Sequence, residues 1–218
     1  DDVDFNDSDM TYARMRTILP SDAWTAYQAA EWQYRKSQEE DYGWKDAGMI
    51  SLAFFRILEM ILNSWFIKPL AYDRAKALKK LFNDHKKTIE NKADKSAYHF
   101  KWNTNLNVLL RISNNPDSEG MMLGPIEYLF KSIGSEKDLA DPLAQAITDY
   151  LQSRLNPEGA KQVFQNFAME DIISQSVRDK YRNPPAHCKY LPYETAAEAR
   201  DYTIESIERI ASWLKPVL

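Results

Sequence analysis

The sequence predicts an all-α fold, a bundle of about seven to nine helices. Three observations carry this. Apolar residues recur at three- and four-residue spacing along nearly the whole chain, the period of a helix face rather than the alternation of a strand. Glycine is scarce, 6 in 218 residues, so breaks are few. Prolines stand where helices start or stop, at Pro69, Pro125, Pro142, Pro157 and Pro184, as suits a residue with a fixed φ and no N–H. No internal repeat or low-complexity tract interrupts the pattern.

Taken in order, residues 1–20 read as an N-terminal arm or a short leading helix. Ser21 is an N-cap residue type, and Trp24, Tyr27, Ala30 and Tyr34 recur at helical spacing behind it until Tyr42-Gly43. From about Lys45 to Ile67 the chain is apolar around most of a helix circumference. Arg56, Glu59 and Asn63 lie inside that stretch, which marks a buried core helix and not a membrane span. Lys68-Pro69 is expected to end it. AYDRAKALKKLFNDHKKTIE, residues 71–90, is a basic amphipathic helix whose lysines form a solvated face. KWNTNLNVLLRIS fits either a helix or a strand, and NNPDSEG is a loop. PIEYLFKSIG and DPLAQAITDYLQSRLN open with proline at a helix-initiating position, and PEGAKQVFQNF follows. MEDIISQSVRDKYRN reads as one helix stopping ahead of Pro184, because the residue before a proline disfavours the α region. In ETAAEARDYTIESIERIASWL, Ile204, Ile207, Ala211 and Leu214 share a face and Glu205–Arg209 is a favourable pair; Lys215-Pro216 closes it.

Composition narrows the function. With 44% apolar residues the chain can bury the core of one domain, or of one domain and a satellite. A net charge of −4 supplies no global basic field, so any RNA contact must come from a local patch. Cys188 is the single cysteine, which excludes an internal disulfide or a cysteine zinc site and fits a reducing, cytoplasmic setting. No HExxH, paired-Asp motif or histidine-rich run is present, and no metal or cofactor is expected. The acidic start DDVDFNDSDM is unlike a signal peptide. A chain beginning without methionine suggests a trimmed protein or one domain of a longer one. No membrane partner is expected.

The densest positive spot beside a histidine is VRDKYRNPPAHCKY. Arg178 and Arg182 are one turn apart, with Lys180 and Lys189 nearby. The prolines are expected to kink the chain and to project Arg182 and His187 to one side, with Asn183 at the bend. An imidazole passes a proton near neutral pH, and a guanidinium holds a phosphate in a fork of donors. Together they suffice for attack of a ribose 2′-hydroxyl on its own phosphodiester: His187 moves the proton and Arg182 stabilises the charge on the phosphoryl oxygens. An Arg-x4-His match alone is weak, with about 0.15 expected by chance in this composition; asparagine after the arginine lowers that to roughly 0.01.

Arg182-Asn183-Pro184-Pro185-Ala186-His187 resembles the Arg-x4-6-His motif of the HEPN domains, all-helical bundles of prokaryotic defence proteins, toxins and some eukaryotic proteins. The resemblance covers about 45–67 and 170–214. It implies a HEPN-like helical bundle over 21–218 with a helical insertion at about 70–165. It also implies a metal-independent endoribonuclease formed when two motif copies meet in a homodimer, in antiphage defence or a toxin system, with an antitoxin or a sensor domain or protein as partner. Arg182 and His187 would then be the catalytic pair, Asn183 the polar neighbour that orients them, and Glu59 in FFRILEMILN the acidic residue facing the site. Arg178, Lys180, Lys189 and Tyr190 would hold the RNA. Lys189 stands where the toxin subgroup paired with nucleotidyltransferase antitoxins carries tyrosine, and Cys188 where glycine is common.

Blander readings stand beside these. Arg182 and His187 could cap a helix end. Arg56, Glu59 and Asn63 could form an exposed edge with an internal ion pair. His85 and His99 read as surface residues, Cys188 as a small packing residue and the tryptophans as core or interface anchors. The alternative functions are a non-catalytic HEPN-like bundle binding a nucleotide or a partner protein, and a purely structural helical domain.

Overall fold

The computed structural model describes residues 10–39, 46–89, 95–115, 117–133, 141–187 and 189–216. The fold is all-α: about 84% of it is helix, and the described residues form no strand, only a lone antiparallel bridge between Leu155 and Leu214. Cys188 and the side chains of His85 and His99 lie outside the described residues. The helices gather into two compact units, Asp1–Ile61 with Ile172–Ser212, and Leu62–Asp171 with Trp213–Leu218.

The first unit is built on α1 (Met10–Ile18), α2 (Ser21–Glu39), α3 (Gly48–Leu62) and α12 (Tyr193–Trp213), with the short α10 (Gln175–Tyr181) and α11 (Asn183–Ala186). Its core is the apolar face of α3, with Phe54, Phe55, Ile57, Leu58 and Ile61 at most 1% exposed. Tyr27 of α2 packs on Phe54 edge-on, and Tyr202 of α12 stacks on Phe55 at 6.2 Å. One charged cluster is buried here. Glu31 is 1% exposed and accepts from both Nε and NH2 of Arg200, at 2.8 and 2.7 Å, and from Arg35 Nε at 3.2 Å. Arg200 also lies over the Tyr34 ring, which stacks on Tyr193. A buried carboxylate is tolerated only when so paired.

The second unit contains α4 (Lys68–Ile89), α5 (Lys95–Asn114), α6 (Leu123–Ile133), α7 (Pro142–Arg154), α8 (Pro157–Phe164) and most of α9 (Ala168–Ile173). The stretch read as helix or strand is the helix α5; its core side is Trp102, Leu106 and Leu109, at i, i+4 and i+7. Asp141 caps α7 by accepting from Leu143 N, and it also accepts from Trp102 Nε1 at 3.1 Å.

The expected stop at Lys68-Pro69 does not occur. The chain passes from α3 through a π-helical turn, Asn63–Ile67, into α4. Pro69 has no N–H to offer the Trp65 carbonyl one turn back, and Arg154 Nε donates to that carbonyl instead, at 3.2 Å. Asn63, read as part of an exposed stripe, is buried. Its amide pairs with Met121 as a backbone would, donating to O at 2.7 Å and accepting from N at 2.6 Å. The run Gly48–Asp84 is long and apolar enough to cross a bilayer by length and composition, and 61% of its apolar window is buried in the fold.

The helix expected from Met169 to Asn183 breaks at Ser174. That residue takes extended backbone and caps α10, its Oγ accepting from Val177 N. On α12, Ile204 and Ile207 are buried as expected, but Ala211 and Leu214 are half-exposed and Ile210 and Trp213 take the inner positions.

Two predictions follow from the second unit. A Cβ at Gly159 would collide with the Trp213 carbonyl, so Gly159→Ala should cost about 1–3 kcal/mol, read as a lower midpoint in urea unfolding. Burial, with Glu127 and Asp171 adding to it, pushes the Glu170 carboxyl above its ordinary range against the pull of Lys131. The folded state therefore holds that proton more tightly, and its contribution to stability is full below the unfolded carboxyl value and lost as pH rises through the folded one. Glu170→Gln should leave Tm near wild type at pH 4 and raise it at pH 7, measured by calorimetry at both.

Candidate functional site

Within the first unit, the motif sits on a short helical rod. Backbone bonds run from Arg182 N to Arg178 O at 2.9 Å, from Ala186 N to Arg182 O at 3.4 Å and from His187 N to Asn183 O at 3.0 Å. The two prolines occupy the first turn of α11, where a missing N–H costs nothing. The helix is interrupted here, Arg182 being at once the C-cap of α10 and the N-cap of α11. On a near-helical backbone, five residues rise about 7.5 Å and turn through about 140°. Arg182 and His187 thus leave the rod at different angles, and no bond joins their side chains.

Three backbone contacts fix this rod. Ser51 Oγ donates to Tyr181 O at 2.5 Å. The Tyr181 ring packs against Phe55 and Tyr202 at 5.7 and 5.6 Å. Asp46 Oδ1 accepts from Gly48 N and from Leu191 N, both at 2.9 Å, while Ala47 N donates to Leu191 O at 3.0 Å. The start of α3 and the segment after the motif are stapled together. Gly48 permits the approach: a Cβ there would lie 2.7 Å from Pro185 Cβ.

The expected site residues have unequal fates. Arg182 is half-exposed; its guanidinium donates to Asn183 Oδ1 at 3.4 Å and meets no carboxylate. His187 is exposed and its ring has no partner among the described residues. Asn183 donates to Asp179 Oδ1 at 2.7 Å. Asp179 accepts from Gln175 Nε2 as well, and Gln175 Oε1 accepts from Arg178 NH2 at 2.6 Å. One chain of side-chain bonds thus links Arg178 to Arg182 through two amides and a carboxylate.

Arg178 is not a surface cation. It is 7% exposed and also donates to Ile173 O at 3.1 Å, because its position on α10 turns it toward the preceding break. Lys180 is exposed but bonded to Glu198 at 2.7 Å, and lies over the Tyr181 ring. The Glu198 carboxylate pushes its ammonium above the ordinary lysine range. Lys189 and Tyr190 are exposed, Tyr190 at 57%. Glu59 is half-exposed on α3 and bonds to neither Arg182 nor His187. It lies one turn beyond Phe55, on which the Tyr181 ring packs, and eleven residues beyond Gly48, about 16 Å along the helix. Among the described residues no three of His, Cys, Asp and Glu gather closely enough to hold one metal ion.

Asp46, Gly48 and Ser51 were not legible as site residues. The partners that tie them to the motif segment lie 130 or more positions away, beyond the reach of any local spacing. Asp46→Ala should release Leu191 N and Gly48 N together and destabilise the chain by about 1–3 kcal/mol. Amide hydrogen exchange should show lost protection concentrated at 47–51 and 189–193. Comparison with family models, curated proteins and solved structures returned no match.

Proposed function

We propose that the chain is a metal-independent endoribonuclease of the HEPN type, working as a homodimer on RNA in the cytoplasm, in antiphage defence or a toxin system with an antitoxin or sensor partner. The observation that carries this reading is the state of the motif. Arg182 and His187 are solvent-accessible, on a rod anchored at both ends, and neither meets a carboxylate among the described residues. Side chains held only for stability are normally spent on partners, as Arg178 and Arg200 are here.

In this reading His187 takes the proton from a ribose 2′-hydroxyl, and the 2′-oxygen bonds to phosphorus. The P–O5′ bond breaks, and the leaving oxygen receives its proton from the histidine of a second copy. Arg182 stabilises the charge on the non-bridging oxygens. The products are a 2′,3′-cyclic phosphate and a 5′-hydroxyl. The angular separation of Arg182 and His187 on one rod suits a site assembled from two rods.

A second reading, a non-catalytic bundle that binds a nucleotide or a protein, is favoured by the engagement of Arg178 and Lys180 within the fold. The two part on one experiment. Purified protein is incubated with mixed RNA in EDTA beside His187→Ala and Arg182→Ala. Cleavage leaving cyclic-phosphate ends should persist in EDTA and fall at least about 100-fold in either variant. Wild-type protein that leaves the RNA intact while binding mononucleotides points to the second reading.

A further inference from the structure

Outside the motif, charge is distributed very unevenly. Residues 68–114 hold eleven Lys and Arg against four Asp and Glu, a surplus of seven positive charges in a chain whose net charge is −4. In the structure this stretch carries the helices α4 and α5, with residues 90–94 outside the described residues. Lys76 and Lys80 are exposed one turn apart, and Lys79 is half-exposed beside them. None of the three pairs with a carboxylate among the described residues, although Arg14, Arg35, Lys131, Lys180 and Arg200 all do. Lys79 Nζ instead donates to Asn103 and Asn107 of α5, at 2.8 and 3.3 Å. Tyr72, at i−4 from Lys76, is 45% exposed.

We propose that this face of α4 and α5 binds a single-stranded nucleic acid. Three ammonium groups within two turns, none of them in an ion pair with a described carboxylate, offer phosphates spaced along a strand a row of positive partners. Tyr72 on the same stripe supplies a ring on which a base can stack, a pairing of cation and aromatic that single-strand binders use. Asn103 and Asn107 are exposed and carry amides able to meet base edges. An anionic membrane would need an apolar face beside the lysines, and here Leu70, Ala75, Leu78 and Phe82 are at most 3% exposed. The inference needs no cleavage by the motif, since binding alone is at issue.

The test is fluorescence anisotropy of the full chain with a labelled single-stranded 2′-deoxy oligonucleotide, which 2′-hydroxyl attack cannot cut. Lys76→Gln/Lys79→Gln/Lys80→Gln should raise Kd at least about tenfold in low salt and lower the slope of log K against log salt by roughly 2. Tyr72→Ala should raise Kd about fivefold or more while Tyr72→Phe leaves it unchanged, and a duplex should bind more weakly than a single strand. All substituted side chains are exposed or half-exposed, and unchanged thermal midpoints confirm that the variants fold. Equal Kd and salt slope for the triple variant would overturn the proposal. So would lysine-dependent capture by phosphatidylserine vesicles with no oligonucleotide binding, or tighter binding of duplex with Tyr72→Ala silent.

Discussion

The buried carboxylate of Glu31 sets the terms for the first unit. A charge 1% exposed must be matched or neutralised, and the match comes from Arg200, 169 residues away on α12. The fork geometry of a bidentate guanidinium restricts both distance and rotation, so α12 has one register against α2. Arg200 then lies on Tyr34, and Tyr34 on Tyr193 at the first residue of α12. Two residues before Tyr193, Leu191 is held by Asp46 and Ala47. A run of contacts thus joins this buried acid to the segment that follows the candidate rod.

Backbone accounting explains the second unit in the same way. A helix that runs through a proline must leave a carbonyl unserved, and Arg154 serves it. The chain around Met121 has no helical partner, and Asn63 supplies both a donor and an acceptor. Each solution uses a polar side chain within an apolar setting, where an unmade bond is costly. These are the places where a pattern of apolar spacing says least, because the residue that matters is defined by a distant backbone group.

That contrast marks what could be read in advance. The long faces of α2, α3 and α12 were legible because their apolar residues recur over several turns, and the all-α fold followed from them. The helix α5 was obscured by NTNLN, where asparagines lower helix propensity between the buried Trp102, Leu106 and Leu109. The break at Ser174 depends on one hydroxyl choosing a backbone amide. At the candidate site, Arg182, Asn183 and His187 were visible as a spacing. That Arg178 turns inward, and that Glu59 does not reach Arg182 or His187, depends on how α10 packs on α3. Residue type alone does not carry that information.

The carboxylate of Asp179 has a further consequence. It can only accept, so Gln175 and Asn183 must both turn their NH2 groups toward it. Their oxygens are thereby left to face the arginines, Gln175 Oε1 accepting from Arg178 and Asn183 Oδ1 from Arg182. An isolated amide can sit either way round with little penalty; each of these two is fixed one way round by the shared acceptor. The amide that accepts from Arg182 is therefore oriented by a residue that bonds to neither Arg182 nor His187.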